Sequence, residues 1–247
     1  MFAPSFRRFP WLPSILQRGG AGLGLLWLGL ALPLAAQPAR EGMRRRARLP
    51  GNAGAAMTLD TLSARPTLYA VGVAEGGGEI LVLGNVALTT RHRPDGATET
   101  TTGFHGRAVW LLRSQVRRWS EPVAVPPTVT TPVLLARFVQ EAAARAGLSL
   151  RQLVPFRLVG EPAAVWWHVP AFPTAHPRDQ AAADLGAHGR FAQQPLDVVG
   201  FLLPPARRTQ PPCLHLHARP GTAPFTAHVD SLRPGTGLRL FLPALPQ

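Results

Sequence analysis

The stretch of this chain richest in chemistry runs Cys213-Leu-His-Leu-His-Ala-Arg-Pro-Gly-Thr-Ala-Pro-Phe-Thr-Ala-His-Val-Asp230. Side chains alternate faces along an extended strand, so His215 and His217 point one way and Leu214, Leu216 and Ala218 the other. Arg219 to Thr222 has turn composition, and Phe225 to Ser231 can return as a second strand. A connection centred near Gly221 and Thr222 sets His228 opposite His215. Three imidazoles then converge on one point, as a zinc ion with an open fourth position requires. A second reading stays open: a histidine pair on a solvated strand face and an unrelated third. A rival pattern, in which the pair shares its metal with a carboxylate a few residues on, finds no acid from Ala218 to Thr226.

The elements that must position these residues are mostly strands. Thr67 to Ala74 and Glu79 to Leu88 are β-like, joined by Gly76-Gly77-Gly78. Arg91 to Gly106 reads as a strand pair with an exposed loop turning at Pro94-Asp95-Gly96, and Arg107 to Leu112 and Val116 to Trp119 as further strands. Thr131-Pro132 opens the clearest helix, with threonine as cap, proline in the first turn and Gly147 as the stop. Its apolar face reads Leu134, Leu135, Phe138, Val139 and Ala142. Leu153 to Val159 and Ala164 to Val169 read as a hairpin around Gly160-Glu161-Pro162. Ala171 to Gln194, with His176 and His188, reads as a loop. Asp197 to Leu203 is a buried strand leading into the histidine hairpin, and Leu238 to Leu242 closes the fold. Strands, one main helix, then strands again predict an α+β architecture with mixed or antiparallel sheets in two subdomains, residues 67–150 and 151–247.

Composition narrows the chemistry. All 26 basic residues among the 247 are arginine, which excludes Schiff-base lysines, a pyridoxal phosphate anchor and a Walker-type phosphate loop. The formal charge of +13 is scattered, apart from Arg44-Arg45-Arg46 with Arg48, and no aromatic-interleaved basic stripe accompanies it. Nucleic acid is therefore not an expected partner. Residues 1–36 read as a secretory signal: Arg7, Arg8 and Arg18, then the apolar run Ala21 to Leu34, then Ala35-Ala36 as the cleavage site. An uncleaved anchor is the alternative. Cleavage would leave no stable membrane insertion, and either version places the folded part in a periplasmic or external space. Residues 37–66 read as a flexible linker. Cys213 is the single cysteine, so no intrachain disulfide forms, and stability comes from the core with help from a metal.

Three stretches together resemble the α-acetolactate decarboxylase family: Gly78-Glu79-Ile-Leu-Val-Leu-Gly84, the segment Val169-Pro170 that ends a strand, and Val198-Val-Gly-Phe201 followed by the three histidines. The resemblance runs from about Thr67 to Pro243. It implies a zinc site on His215, His217 and His228, with Glu79 beside the metal. It further implies two α/β subdomains, often paired as a homodimer, and conversion of 2-acetolactate, a small hydroxy-keto acid, to acetoin and carbon dioxide. Taken without the resemblance, Glu79 reads as an exposed glutamate at a strand end.

The chain departs from the family pattern at two points. The family's arginine before its Val-Pro falls here on Trp167, or on His168 with the gap placed differently. A substrate carboxylate needs a positive partner, and the candidates are His168 and Arg157, expected on the partner strand of the same hairpin. His168 also reads as a half-buried strand histidine. The family's C-terminal glutamate has no counterpart in Gly235-Thr-Gly-Leu-Arg239. Asp230 shares a face with His228 by alternation; it orients a histidine, replaces the missing acid, or caps the following turn.

Overall fold

The structure, a computed structural model, describes residues 57–62, 65–171, 186–204 and 212–245. The signal-like segment at 1–36, most of the linker, and His176 lie outside the described residues. All described residues belong to one unit spanning residues 33–247.

Strands β1 (Met57–Thr58), β2 (Leu68–Ala74), β3 (Glu79–Leu83), β4 (Val86–His92), β5 (Thr98–Thr102) and β6 (Arg107–Gln115) form a six-stranded sheet in the order β1-β6-β2-β3-β4-β5. The second sheet comprises β7 (Val123–Ala124), β8 (Val154–Gly160), β9 (Ala164–Val169), β10 (Ala187–Phe191), β11 (Leu196–Leu203), β12 (Cys213–Pro220), β13 (Ala227–Arg233) and β14 (Arg239–Phe241). Its eight strands lie in the order β10-β9-β13-β12-β11-β8-β14-β7. Every pairing is antiparallel. Among the described residues one α-helix, α1 (Pro132–Arg145), completes the α+β architecture predicted from the sequence.

Alternation along the strands explains the layering. The β2 sequence Leu-Tyr-Ala-Val-Gly-Val-Ala is buried throughout, as a strand covered on both faces must be. Tyr69, Val71 and Val73 meet Val199 and Phe201 of β11 between the sheets, while Leu68, Ala70 and Ala74 pack with Leu59 and Leu62 on the outer side. In the second sheet Phe156, Leu158, Val198, Leu216 and Ala218 face the helix residues Leu135, Val139, Ala142 and Ala143. The residues between them in sequence, His215 and His217 among them, therefore face the first sheet.

The helix begins and ends as predicted. Thr131 accepts a hydrogen bond from the Leu134 N–H at 3.2 Å, Pro132 starts the first turn, and Gly147 takes φ +74° beyond the last turn. Its buried stripe is rotated from the expected one. Leu134 is exposed, and Ala136 and Ala143 face inward instead, because small side chains let the helix axis approach the sheet.

Other expectations are corrected. Glu79 to Leu88 is not one strand: Gly84, at φ +61°, and Asn85 turn it into the β3–β4 hairpin. Val116 to Trp119 is not a strand, although Trp119 bridges to Pro243. β7 belongs to the second sheet and α1 packs on it. Most consequentially, β8 and β9 are not a hairpin. β8 lies between β11 and β14, β9 lies between β13 and β10, and β11, β12 and β13 separate them. Gly160, at φ +140°, leads the chain away; a Cβ there would sit 2.3 Å from the Gly237 carbonyl oxygen, so the connection is packed against the 235–238 segment. β8 instead pairs along seven positions with the apolar β11.

Candidate metal centre

His215 and His217 are the ladder partners of Phe201 and Val199, two members of the core between the sheets. This fixes both imidazoles in that interior, His215 at 3 % exposure and His217 at 0 %. Trp110 of β6 covers the His215 ring edge-on, with centroids 4.8 Å apart. The hairpin register is shifted from expectation: His228 lies opposite His217, not His215. The shift does not separate the rings. The His228 centroid lies 4.7 Å from His215 and 5.7 Å from His217. One nitrogen from each histidine falls within 4.8 Å of the others, so the three could hold a metal ion.

Glu79 completes the group from the opposite sheet. Gly76, Gly77 and Gly78 all take positive φ, and a Cβ on Gly78 would sit 2.3 Å from the Thr90 carbonyl oxygen. Glycine here lets β3 start hard against β4, so Glu79 is buried at 2 % exposure rather than exposed at a strand end. Its Oε2 lies 3.0 Å from His217 Nε2. That approach is not aligned as a hydrogen bond, and Oε2 has no other partner. Nε2 of His215 and Nε2 of His217 stand 3.0 Å apart, within hydrogen-bond reach, with the donor set by the tautomer.

Burial governs the protonation of these groups. It pushes the Glu79 carboxyl well above the usual carboxylate range; the charge of His168 opposes the shift and that of Asp230 adds to it. It lowers His215 and His228 well below the ordinary imidazole value, helped by neighbouring histidines, although His228 keeps part of its surface exposed. His217 falls to about 3 through burial; a hydrogen bond with the Ile80 backbone opposes the shift and the charge of His168 adds to it. Three neutral imidazoles are in the form that binds a metal, and an orphaned buried carboxyl oxygen beside them is otherwise hard to account for. Nitrogens at ~2.1 Å from one tetrahedral ion stand ~3.4 Å apart; here one pair stands 3.0 Å apart and all three fall within 4.8 Å. The donor set of three nitrogens with a nearby carboxyl oxygen fits a divalent transition metal.

His168 stands beside this group. In the β9–β13 ladder it lies opposite His228, with ring centroids 4.9 Å apart. Its Nδ1 pairs with Asp230 Oδ1 at 2.6 Å. Asp230 sits where the register slips between Val229 and Ser231, and such a bulge re-aims a side chain. Of the roles open to Asp230, the geometry selects the orienting of a histidine. Trp167 points to the other face of the sheet, where it stacks on Phe191 at 5.4 Å and meets Phe225 at 4.9 Å. Gly189 makes room for it, since a Cβ there would lie 2.2 Å from the indole.

The structure does not bring Arg157 into the group as a carboxylate partner. Its guanidinium is held by Asp197, through Nε to Oδ1 at 3.1 Å and Nη2 to Oδ2, and lies over Tyr69 and Trp119. His188, expected in a loop, sits on β10 opposite His168, with rings 5.9 Å apart. Reading Ala187-His-Gly-Arg-Phe191 as a strand from sequence alone fails because its glycine and short length both argue against one.

No protein-family model matches the chain, and no curated protein matches it by sequence. Solved structures do. A Staphylococcus aureus protein of unknown function, described as similar to α-acetolactate decarboxylase, superposes with a TM-score of 0.59 at 13 % identity, covering 83 % of this chain and 84 % of that one. α-Acetolactate decarboxylase from Bacillus subtilis strain 168 gives 0.57 at 13 % identity over 77 % and 79 %. Acetolactate decarboxylase from Bacillus subtilis subspecies spizizenii gives 0.51 at 13 % identity over 72 % and 74 %. The chain therefore shares the fold of acetolactate decarboxylase-like proteins.

Proposed function

We propose that this chain is a secreted or periplasmic, zinc-dependent decarboxylase that converts 2-acetolactate, or a related 2-hydroxy-3-keto acid, to the hydroxyketone and carbon dioxide. The observation that carries the reading is the convergence of three imidazoles with a buried carboxyl whose Oε2 has no hydrogen bond. The shared fold supports it. His215, His217 and His228 would hold the metal. Zinc bound there supplies a Lewis acid for the substrate's hydroxyl and keto oxygens, chemistry that needs neither lysine nor an organic cofactor.

The chain's own side chains do the rest. Glu79, whose ionisation burial disfavours, is the acid that delivers a proton to carbon once carbon dioxide has left. His168, its ring held through Nδ1 by Asp230, is the partner of the substrate carboxylate when protonated. Trp110, Val199 and Phe201 line the histidines with apolar surface and exclude water. In this reading the ligand is a small anionic molecule and nucleic acid plays no part. Signal removal after Ala36 frees the chain from the membrane, and a homodimer is its expected assembly.

A second reading, a secreted metal-binding homologue without decarboxylase activity, is favoured by one observation. Asp230 is committed to His168 and Gly235 to Arg239 carries no acid, so nothing replaces the resembled family's C-terminal glutamate. Metal analysis of purified protein, followed by an acetoin assay on the zinc-loaded form with 2-acetolactate, decides between them. Acetoin production supports the first reading. Bound zinc without turnover supports the second, and a protein that takes up no transition metal defeats both.

A further inference from the structure

The candidate centre is assembled from two sheets: Glu79 comes from the β3–β4 hairpin and the histidines from β12 and β13. Something must fix the distance between the two contributions. Thr90 is fully buried, at 0 % exposure, and is the ladder partner of Glu79. Its carbonyl oxygen occupies the space that a Cβ on Gly78 would need, so the start of β3 is seated directly on Thr90. The side chain of Thr90 reaches the other sheet. Its Oγ1 accepts a hydrogen bond from the Thr226 backbone N–H at 2.9 Å, across 136 residues of sequence. Its hydroxyl also pairs with that of Thr100 on β5 at 2.8 Å.

Thr226 lies two positions before His228, where the chain returns from the exposed segment 221–224 into β13. Phe225 anchors the outward side of this return against Trp167 and Phe191. Thr226 is itself fully buried, so its N–H has no water to turn to if Thr90 withdraws. We infer that Thr90 is a positioning residue: one hydroxyl, held by the strand that seats Glu79 and bonded to the strand that carries His228, sets the spacing between the carboxyl and the imidazoles. The second Thr–Thr bond fixes the rotamer that aims Oγ1 at Thr226. Thr90 touches neither metal nor substrate in this role. For its affinity readout the inference rests on the metal-centre reading; its spectroscopic readouts do not.

The test compares the full chain with Thr90→Val and Thr90→Ser. Valine keeps the branched shape and removes the acceptor; serine keeps the acceptor. Zinc affinity is measured by competition with a chromophoric chelator. In parallel, imidazole nitrogen resonances and Thr226 amide exchange are recorded on metal-free protein. Thr90→Val should weaken zinc binding about tenfold or more and Thr90→Ser by no more than about threefold, because only valine strands a buried donor. The His228 imidazole signals should move in the valine variant and return in the serine variant, while those of His92 stay fixed.

Unchanged affinity and an unchanged His228 signal in Thr90→Val overturn the inference. So do equal losses in both variants, which would assign the effect to packing. Wild-type protein that takes no zinc sinks the metal reading and leaves the His228 signals to decide on Thr90. Should the valine variant not fold, amide exchange in the wild type decides instead. Strong protection of the Thr226 amide supports the bond, and exchange as fast as that of an exposed loop amide refutes it.

Discussion

Two polar clusters lie on the same face of the eight-stranded sheet, both against the first sheet. At one, Arg157 meets Asp197 through two hydrogen bonds, under Tyr69 and Trp119, whose indole N–H donates to the tyrosine hydroxyl at 2.9 Å. Charge meets opposite charge there and donors meet acceptors. At the other, across β11, Nε2 of His215 and His217 stand 3.0 Å apart, and Glu79 Oε2 lies 3.0 Å from His217 Nε2 without a hydrogen bond. Burial raises the Glu79 carboxyl and lowers the three imidazoles, so it disfavours the charged form of every group there. A cluster that satisfies itself has nothing to offer a ligand. A cluster that leaves a buried carboxyl oxygen without a hydrogen bond is costly to fold, and a bound cation offsets that cost.

The comparison breaks most easily at His217. Replacing it with alanine removes the ligand that sits between His215 and Glu79, and the protein should lose bound metal and any decarboxylation together. Full retention of metal by His217→Ala would defeat the site.

Protonation sharpens the contrast next. In metal-free protein His217 titrates near 3, against the ordinary 6.5, and His215 and His228 are lowered as well. Above pH 6.5 both folded and unfolded chains carry these imidazoles neutral, and their contribution to stability is complete. As pH falls below 6.5 the unfolded chain takes up protons that the folded chain refuses, and stability is lost by up to about 1.4 kcal/mol per pH unit for each imidazole. Glu79 acts with the opposite sign, since its raised value favours the folded state at low pH and costs stability as pH rises above 4.5. Denaturant melts of metal-free protein between pH 7 and 5 should therefore show a marked acid loss that His217→Ala reduces.

How much of this is legible in the sequence follows from what strand alternation can tell. It assigns His215 and His217 to one face and Asp230 to the face of His228, and residue types mark the helix ends through Thr131, Pro132 and Gly147. Alternation says nothing about partners. The β8–β9 hairpin fails because nearness in sequence suggests a pairing that the long apolar β11 supplies instead. The expected register of β12 on β13 fails because it depends on the length and path of the 221–226 connection. Asp230 meets His168 through a bulge, which residue types do not announce, and the Thr90–Thr226 bond spans two sheets that no local pattern links.

Glu79 offers a smaller break. Glu79→Gln keeps the shape and removes the exchangeable proton, so kcat on 2-acetolactate should fall by about 10²-fold if Glu79 is the acid. Zinc affinity need not follow. Turnover within a few-fold of wild type would return Glu79 to a purely structural part.

The smallest effect belongs to the self-satisfied cluster, where the comparison predicts a change in stability alone. Arg157→Leu leaves Asp197 without its partner. Both side chains keep about a fifth of their surface, 23 % and 20 %, so the loss lies between that of an exposed pair and a fully buried one, about 2 kcal/mol. Replacing Asp197 as well removes the stranded charge, and the double variant should regain part of that loss. Throughout, zinc affinity and the fraction of bound metal should stay at wild-type levels, because Arg157 is separated from His217 by the β11 strand and its Val199. Metal affinity that drops with Arg157→Leu would mean that the two clusters are one network, and that the arginine takes part in the site after all.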